Sequence, residues 1–377
     1  MAAVSLSSTA VLPSPVMLQN PSEVGPSAGR LTSSFAAGGS GRNPAQGKNF
    51  KAVRTVKTRC AVTPLQKSPS SSSTMTADLK KSWTFQLALT LAGAALSVKP
   101  FYALLRDQAK KMIRERGEKI GVPWASRLAE LAKHDWETEL KNIHREGDVK
   151  YPEYYLQSFH SYPEGNLSWD AALESDLASK SVHATVFTKS AKAQSVTGDT
   201  LKLRRWSRSL MISYGNETPS LEDAKITGVD LSPYFVAVAN YKLREVEAER
   251  GGNTIPIKFS HAAAEDTRLP SESFDLVSCC LCFHELPTEP TRQIIKEAYR
   301  LVRPGGSFAI MDMNPASPAW QKAMSNPVLF TVFRSTEPYL EDYMAFPFEE
   351  VLEETGFKVV LHTPNTPRHR TIVAHKL

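Results

Sequence analysis

The run Lys225-Ile-Thr-Gly-Val-Asp-Leu231 constrains the fold more than any other stretch. Ile226 and Val229 are β-formers, and the run is short and apolar enough for a buried strand. It ends on Asp230. Ser232 and Pro233 come next, a capping residue and a proline at a tolerated first-turn position, so a helix is expected to start there. Open α/β sheets bind nucleoside cofactors just outside the carboxyl ends of their strands, and a carboxylate there accepts both hydroxyls of a ribose. The same residues also suit an Asp that merely ends a strand. The pattern of the chain beyond Asp230 decides between the two.

That pattern is a regular alternation. A helix is expected from Pro233 to about Arg250, ended by Gly251-Gly252, then a strand over Ile255–Ser260 leading into Ala262-Ala-Ala-Glu-Asp266. Phe274–Phe283 is almost continuously apolar and reads as a central parallel strand. A helix over Glu289–Leu301, a turn at Arg303-Pro-Gly-Gly306 and a strand over Ser307–Asp312 come next. A helix beginning at Pro347 or Phe348, ending at Thr355 and stopped by Gly356 precedes two closing strands, Lys358–His362 and Thr371–His375. Strands alternating with helices imply a doubly wound, mostly parallel α/β sheet.

The first part of the chain has a different character. Residues 1–60 are rich in Ser, Ala, Gly and Pro. They hold seven basic residues against Glu23 alone, which accounts for the whole net charge of +6. The remainder is neutral and has no basic stripe, so no nucleic-acid partner is expected. The composition suits an organelle leader, and residues 61–82, with the Ser70–Ser73 run, read as linker. Residues 83–200 form a helical extension. Trp83 to Val98 is a sixteen-residue apolar stretch flanked by Lys80-Lys81 and Lys99-Pro100. It is shorter than the roughly 20 residues of a spanning helix. A core helix, a short membrane anchor and a late part of a targeting signal all remain open for it. The basic flanks and Trp83 favour membrane-surface contact over residues 83–117, where the helix Phe101–Gly117 also has a basic far end. Helices are expected over Val122–Ile143 and Asp170–Val186. The loop between them holds Tyr151, Tyr154, Tyr155, Phe159, Tyr162 and Trp169. It either packs the extension onto the main domain or closes over an apolar substrate.

The cysteines are Cys60, Cys279, Cys280 and Cys282, with no spaced disulfide framework. On a strand, Cys280, Cys282 and His284 would share one face. Small buried cysteines filling a crowded sheet explain them as well, and no metal is expected.

Four motifs stand in order: Ile226-Thr-Gly-Val-Asp-Leu-Ser-Pro233, Ala264-Glu-Asp266 with Leu269-Pro270, Ser273-Phe-Asp-Leu-Val277, and Glu297-Ala-Tyr-Arg-Leu-Val-Arg-Pro-Gly-Gly306. Together they resemble the class I S-adenosylmethionine-dependent methyltransferases of the ubiquinone/menaquinone type, over about residues 225–377, within a domain taken as 201–377. The resemblance implies a Rossmann-like sheet, S-adenosylmethionine as cofactor and a small-molecule acceptor, apolar or phenolic. It implies that Asp230 accepts the ribose hydroxyls, Leu231 packs beside the adenine, Ala264 and Glu265 contact the adenine, and Cys280 approaches the methionine end. Many members carry an Asp where this chain has Ala263. No catalytic residue is assigned. His284 and Glu285 are the nearest titratable groups, although a surface or satisfied histidine is the favoured reading of His284. The leader resembles plant chloroplast transit peptides, with Arg59-Cys60-Ala61 at the processing position, so a plastid location is expected.

The family's first strand, Gly-rich loop and helix should precede Lys225. The chain has Leu203–Asp223 there, with Gly215 as its single glycine. The expectation is a domain lacking its central strand and half of its cofactor floor. That leaves two functions open: a methyltransferase, or a methyltransferase-like protein acting as a membrane or protein-binding module. A nicotinamide-dependent dehydrogenase would need a Gly-rich fingerprint that is also absent.

Overall fold

A computed structural model describes residues 2–6, 82–159, 162–187, 225–249, 251 and 256–377. Arg59-Cys60-Ala61, the Ser70–Ser73 linker and the Leu203–Asp223 segment lie outside the described residues. Eight strands form one sheet: β1 (Ala2–Leu6), β2 (His144–Arg145), β3 (Lys225–Asp230), β4 (Ile257–His261), β5 (Phe274–Cys280), β6 (Val302–Met313), β7 (Phe357–Pro364) and β8 (His369–Lys376). Their order is β2-β4-β3-β1-β5-β6-β8-β7. Every pairing from β2 through β6 is parallel, and β8 runs antiparallel between β6 and β7.

The middle of the sheet corrects the sequence expectation. The central slot is filled, and by the start of the chain. Ala2–Leu6 pairs with Lys225–Val229 on one side, and Ala3–Leu6 pairs with Leu276–Cys279 on the other. A five-residue run without charge or proline can satisfy two ladders at once. Without it, β3 and β5 would each present a row of unpaired N–H and C=O groups to the other. The strand order reverses direction at this point, which is where doubly wound sheets bind their ligands.

The described helices are α1 (Trp83–Ser97), α2 (Lys99–Lys119), α3 (Trp124–Leu131), α4 (Trp136–Lys141), α5 (Trp169–Phe187), α6 (Pro233–Glu249), α7 (Thr288–Leu301), α8 (Pro318–Met324), α9 (Pro327–Thr336), α10 (Leu340–Ala345) and α11 (Phe348–Thr355). The main core lies between α7, α11 and the sheet, with Val277, Ile295, Leu301, Phe308 and Leu352 fully buried. Burying each such side chain contributes about 1.5–3 kcal/mol. A second cluster joins the extension to α6 through Leu131, Trp136, Ala172, Phe235 and Val238.

Three local differences from the sequence expectations have plain causes. The helix expected over Val122–Ile143 is two helices, because Asp135 caps a new start by accepting from the Thr138 N–H at 3.1 Å. Arg303–Gly306 is part of β6 rather than a separate turn, and it shifts the pairing register between Phe274 and Leu276. A Cβ on Gly306 would stand 2.9 Å from the Asp275 carbonyl oxygen, so the backbones approach as only glycine allows. Third, α8, α9 and α10 come after β6 in a stretch to which the sequence pattern assigned no element.

Candidate active site

The carboxyl ends of β3 and β4 gather four of the five expected cofactor contacts. Asp230 closes β3 and is buried. Its Oδ1 accepts from the Ser232 N–H at 2.8 Å, which holds the carboxylate at the start of α6. The Ser232 hydroxyl donates to the Asn166 carbonyl at 2.7 Å and accepts weakly from the Phe235 N–H at 3.4 Å. The cap thereby ties α6 to the helical extension. Leu231 is buried, and its carbonyl lies 2.9 Å from His261 Nε2 on the neighbouring strand. That contact requires the proton on Nε2 and leaves Nδ1 as a buried acceptor without a protein partner. Burial holds the His261 pKa below its ordinary value, with the Leu231 contact opposing that shift.

Past β4, Ala263 bridges to Asp266 in a tight reversal that presents Ala264 and Glu265. Glu265 accepts a hydrogen bond from the Tyr154 hydroxyl. Tyr154 and Tyr155 sit on the 3-10 turn Glu153–Leu156, which lays the aromatic loop over the strand ends. The Tyr155 hydroxyl is buried and makes no hydrogen bond to the protein. Burial, followed by the charges of Asp230 and Glu285, pushes this phenol well above its ordinary pKa, so it stays a donor. A narrow crevice remains here, lined by Tyr154, Tyr155, Phe159, Asn166, Glu285 and Pro338. Its cavity of about 20 Å³ has room for roughly one water.

Cys280 lies two strands from β3, at the end of β5, and is half-buried. The chain does not stay extended beyond it. Leu281 has φ +55°, a left-handed conformation costly for a residue with a Cβ, and its N–H donates to the Met311 carbonyl at 2.8 Å. The reversal swings Cys282 against Cys279, whose thiol is raised by burial and by its hydrogen bond with Cys282. The expected common face for Cys280, Cys282 and His284 therefore does not form. Among the described residues, no cluster of three or more His, Cys, Asp or Glu side chains suits a metal ion.

His284 proves to be a buried ion-pair partner. Its Nδ1 lies 2.7 Å from Asp312 Oδ1 at the end of β6. Asp312 also accepts from the Phe283 N–H at 2.9 Å and the Met313 N–H at 2.7 Å. Burial opposes the imidazolium charge. Asp312 outweighs that effect, aided by Glu337 and Glu285, and raises the His284 pKa to about 10. Asp312 is also fully buried, and His284 holds its carboxyl below the usual range despite that burial.

His261 and Asp312 were not expected at the site from the sequence, and Tyr154 and Tyr155 were expected only as part of a loop that packs the extension or closes over a substrate. Asp312 carried the same signal as Asp230, an Asp expected to end a parallel strand, and the same rule would have found it.

Residues 212–310 match the family model described as "Methyltransferase domain". The chain is 25% identical over 129 residues to a demethylmenaquinone methyltransferase from Listeria welshimeri, covering 34% of this chain and 49% of that protein. It is 30% identical over 117 residues to a 27-O-demethylrifamycin SV methyltransferase from Amycolatopsis mediterranei, covering 30% of this chain and 40% of the relative. The chain thus spans about half the length, or less, of these curated relatives. A crystal structure of a SAM-dependent methyltransferase from Aquifex aeolicus aligns at 18% identity with TM-score 0.31, covering 41% of this chain and 70% of that one. The ordered motifs, the sheet and the match over residues 212–310 make this chain similar to the class I S-adenosylmethionine-dependent methyltransferases, whose cofactor is S-adenosylmethionine.

Proposed function

We propose that this protein transfers a methyl group from S-adenosylmethionine to a small acceptor, apolar or phenolic. The observation that carries the proposal is Asp230, a buried carboxylate at the end of β3 beside the central strand. The site's chemistry fits the cofactor. A carboxylate suits the ribose diol, and two buried polar atoms, the Tyr155 hydroxyl and His261 Nδ1, have no protein partner.

In this reading Asp230 holds the ribose, Leu231 packs beside the adenine, and Ala264 and Glu265 meet the adenine edge. Cys280 borders the methionine end. When bound, the cofactor supplies an electrophilic methyl group, and the protein's main task is to align the acceptor with it. Tyr154 holds Glu265 and Tyr155 closes the crevice, so this turn excludes water and must shift outward to admit a nucleoside. His284 keeps its proton at neutral pH and is committed to Asp312, so it orients the β5–β6 end rather than accepting a proton from the acceptor. The relatives' names make a demethylmenaquinone-type acceptor the first to test. The narrow crevice supports a competing reading, a methyltransferase-like binding module without turnover.

The decisive experiment incubates the full chain with methyl-tritiated S-adenosylmethionine and a naphthohydroquinone acceptor. The proposal expects tritium in the organic extract. No transfer, together with no binding of S-adenosylhomocysteine, would remove it.

We also infer a plastid location from residues 1–60 and membrane-surface contact through residues 83–117. Processing at Arg59-Cys60-Ala61 would take β1 out of the sheet. N-terminal sequencing of the protein from isolated chloroplasts tests the location and the leader: a mature start near Cys60 supports them and means that β1 is not the working central strand.

A further inference from the structure

We infer that α1 and α9 together form a lipid-seating face, and that it feeds apolar acceptor into the crevice beside it. Seven of the ten large apolar side chains exposed among the described residues lie on these two helices or at Val98, next to α1. On α1 they are Trp83, Leu87 and Leu91, four residues apart and so on one face, with Trp83 74% and Leu91 63% exposed. On α9 they are Val328, Leu329 and Val332. The helices pack against each other, with the Phe85 and Phe330 rings 6.4 Å apart, so the two sets share one surface patch.

Charge selects a bilayer as the occupant. α1 carries no charged residue, and α9 carries only Arg334, which pairs with Glu341 at 3.0 Å. Neither helix has an acidic residue. Lys80, Lys81 and Lys99 flank α1 in sequence, and exposed Lys322 precedes α9. An apolar face with basic residues adjacent to it in the sequence complements anionic headgroups. No helix of the described residues is long and apolar enough to cross a membrane, so the face lies on the bilayer. The basic end of α2 is partly engaged within the protein, while Arg116 and Lys119 in its last turn are exposed. Arg114 pairs with Glu174, Lys111 with Glu115, and Lys110 lies 3.7 Å from the Tyr162 ring centroid. α9 therefore adds to the lipid contact inferred for residues 83–117.

The face leads to the site. α9 runs directly into Pro338, which lines the crevice, and Tyr339, whose ring lies 6.4 Å from Tyr154. An acceptor dissolved in lipid would enter from this side. The delivery step rests on the methyltransferase proposal, whereas the seating does not.

The test is flotation of the full chain with vesicles of phosphatidylcholine and phosphatidylglycerol, with S-adenosylhomocysteine binding measured on the same samples. Wild type should float, and the Leu91→Asp/Val332→Asp variant should partition about tenfold or more weakly. Leu377→Asp, an exposed apolar position off the patch, should float like wild type. Brominated lipid should quench wild-type fluorescence and lose most of that effect in Trp83→Phe, a result that does not depend on the Asp variant folding. Wild type failing to float, or the double variant floating equally, would overturn the seating. A wild-type dimer that becomes monomeric in the double variant, without flotation, would assign the face to a second copy instead. Flotation without S-adenosylhomocysteine binding would sink the methyltransferase proposal while leaving the seating intact.

Discussion

From β5 to β7 the sheet is built by one continuous run, residues 274–376, whereas the half that carries Asp230 is assembled from three distant pieces. β3 and β4 lie close in sequence, but β2 comes from the helical extension and the central β1 from residues 2–6. The contiguous half has the main core and a buried ion pair, His284–Asp312. The assembled half has buried polar atoms that lack protein partners, on Tyr155 and His261. Buried polar atoms without a protein partner also occur in the contiguous run, on Gln321 and Asn365, so the halves differ in how they are assembled and in what surrounds Asp230, where the Tyr155 hydroxyl and His261 Nδ1 keep hydrogen-bonding capacity in reserve.

The contrast between the halves breaks most directly at β1. Val4→Pro removes ladder N–H bonding in a central strand, a position where proline is not tolerated. Hydrogen exchange should show β3 losing protection by about 3 kcal/mol or more, within the range of severe single substitutions, while β6 and β8 keep theirs. Equal loss across the sheet, or none, would show that the halves are not distinct. The next largest effect belongs to the contiguous half. Asp312→Ala leaves His284 buried without its carboxylate and should cost about 3–5 kcal/mol in denaturant unfolding.

The pH dependence of that pair has a definite sign. His284 is raised from 6.5 to about 10, so its contribution is complete below pH 6.5 and is lost as pH rises toward 10. Asp312 is depressed, so its contribution is lost at the acid end. Unfolding free energy measured from pH 6 to pH 10 should fall in wild type and stay flatter in His284→Gln. The smallest change is Tyr155→Phe. It removes a donor with no protein partner, so stability should move by less than about 1 kcal/mol, while ligand affinity falls. A large stability loss would mean that the hydroxyl already has a structural partner.

The contiguous half was legible from the sequence because its signals are local: the apolar run at Phe274, the Arg303–Gly306 motif and the cap at Gly356, which has φ +107°. Asp230 was legible for the same reason. The central strand was not, because Ala2–Leu6 lies more than two hundred residues from its partners, inside a segment whose composition suggests a leader. Tyr154 and Tyr155 were visible as an aromatic cluster, but periodicity assigns no target to a side chain in a loop. The Cys279–Cys282 pairing was hidden by Leu281, whose left-handed backbone broke the strand alternation that the apolar pattern promised.

The central claim is that Asp230 and its neighbours hold an adenosyl ligand. Isothermal titration of S-adenosylhomocysteine into the full chain and into Asp230→Ala tests it most directly. The account predicts saturable binding in wild type and a loss of about tenfold or more in the variant, the scale of a charge-assisted hydrogen bond to the ribose. No heat at millimolar ligand, or equal affinity in both proteins, would contradict it.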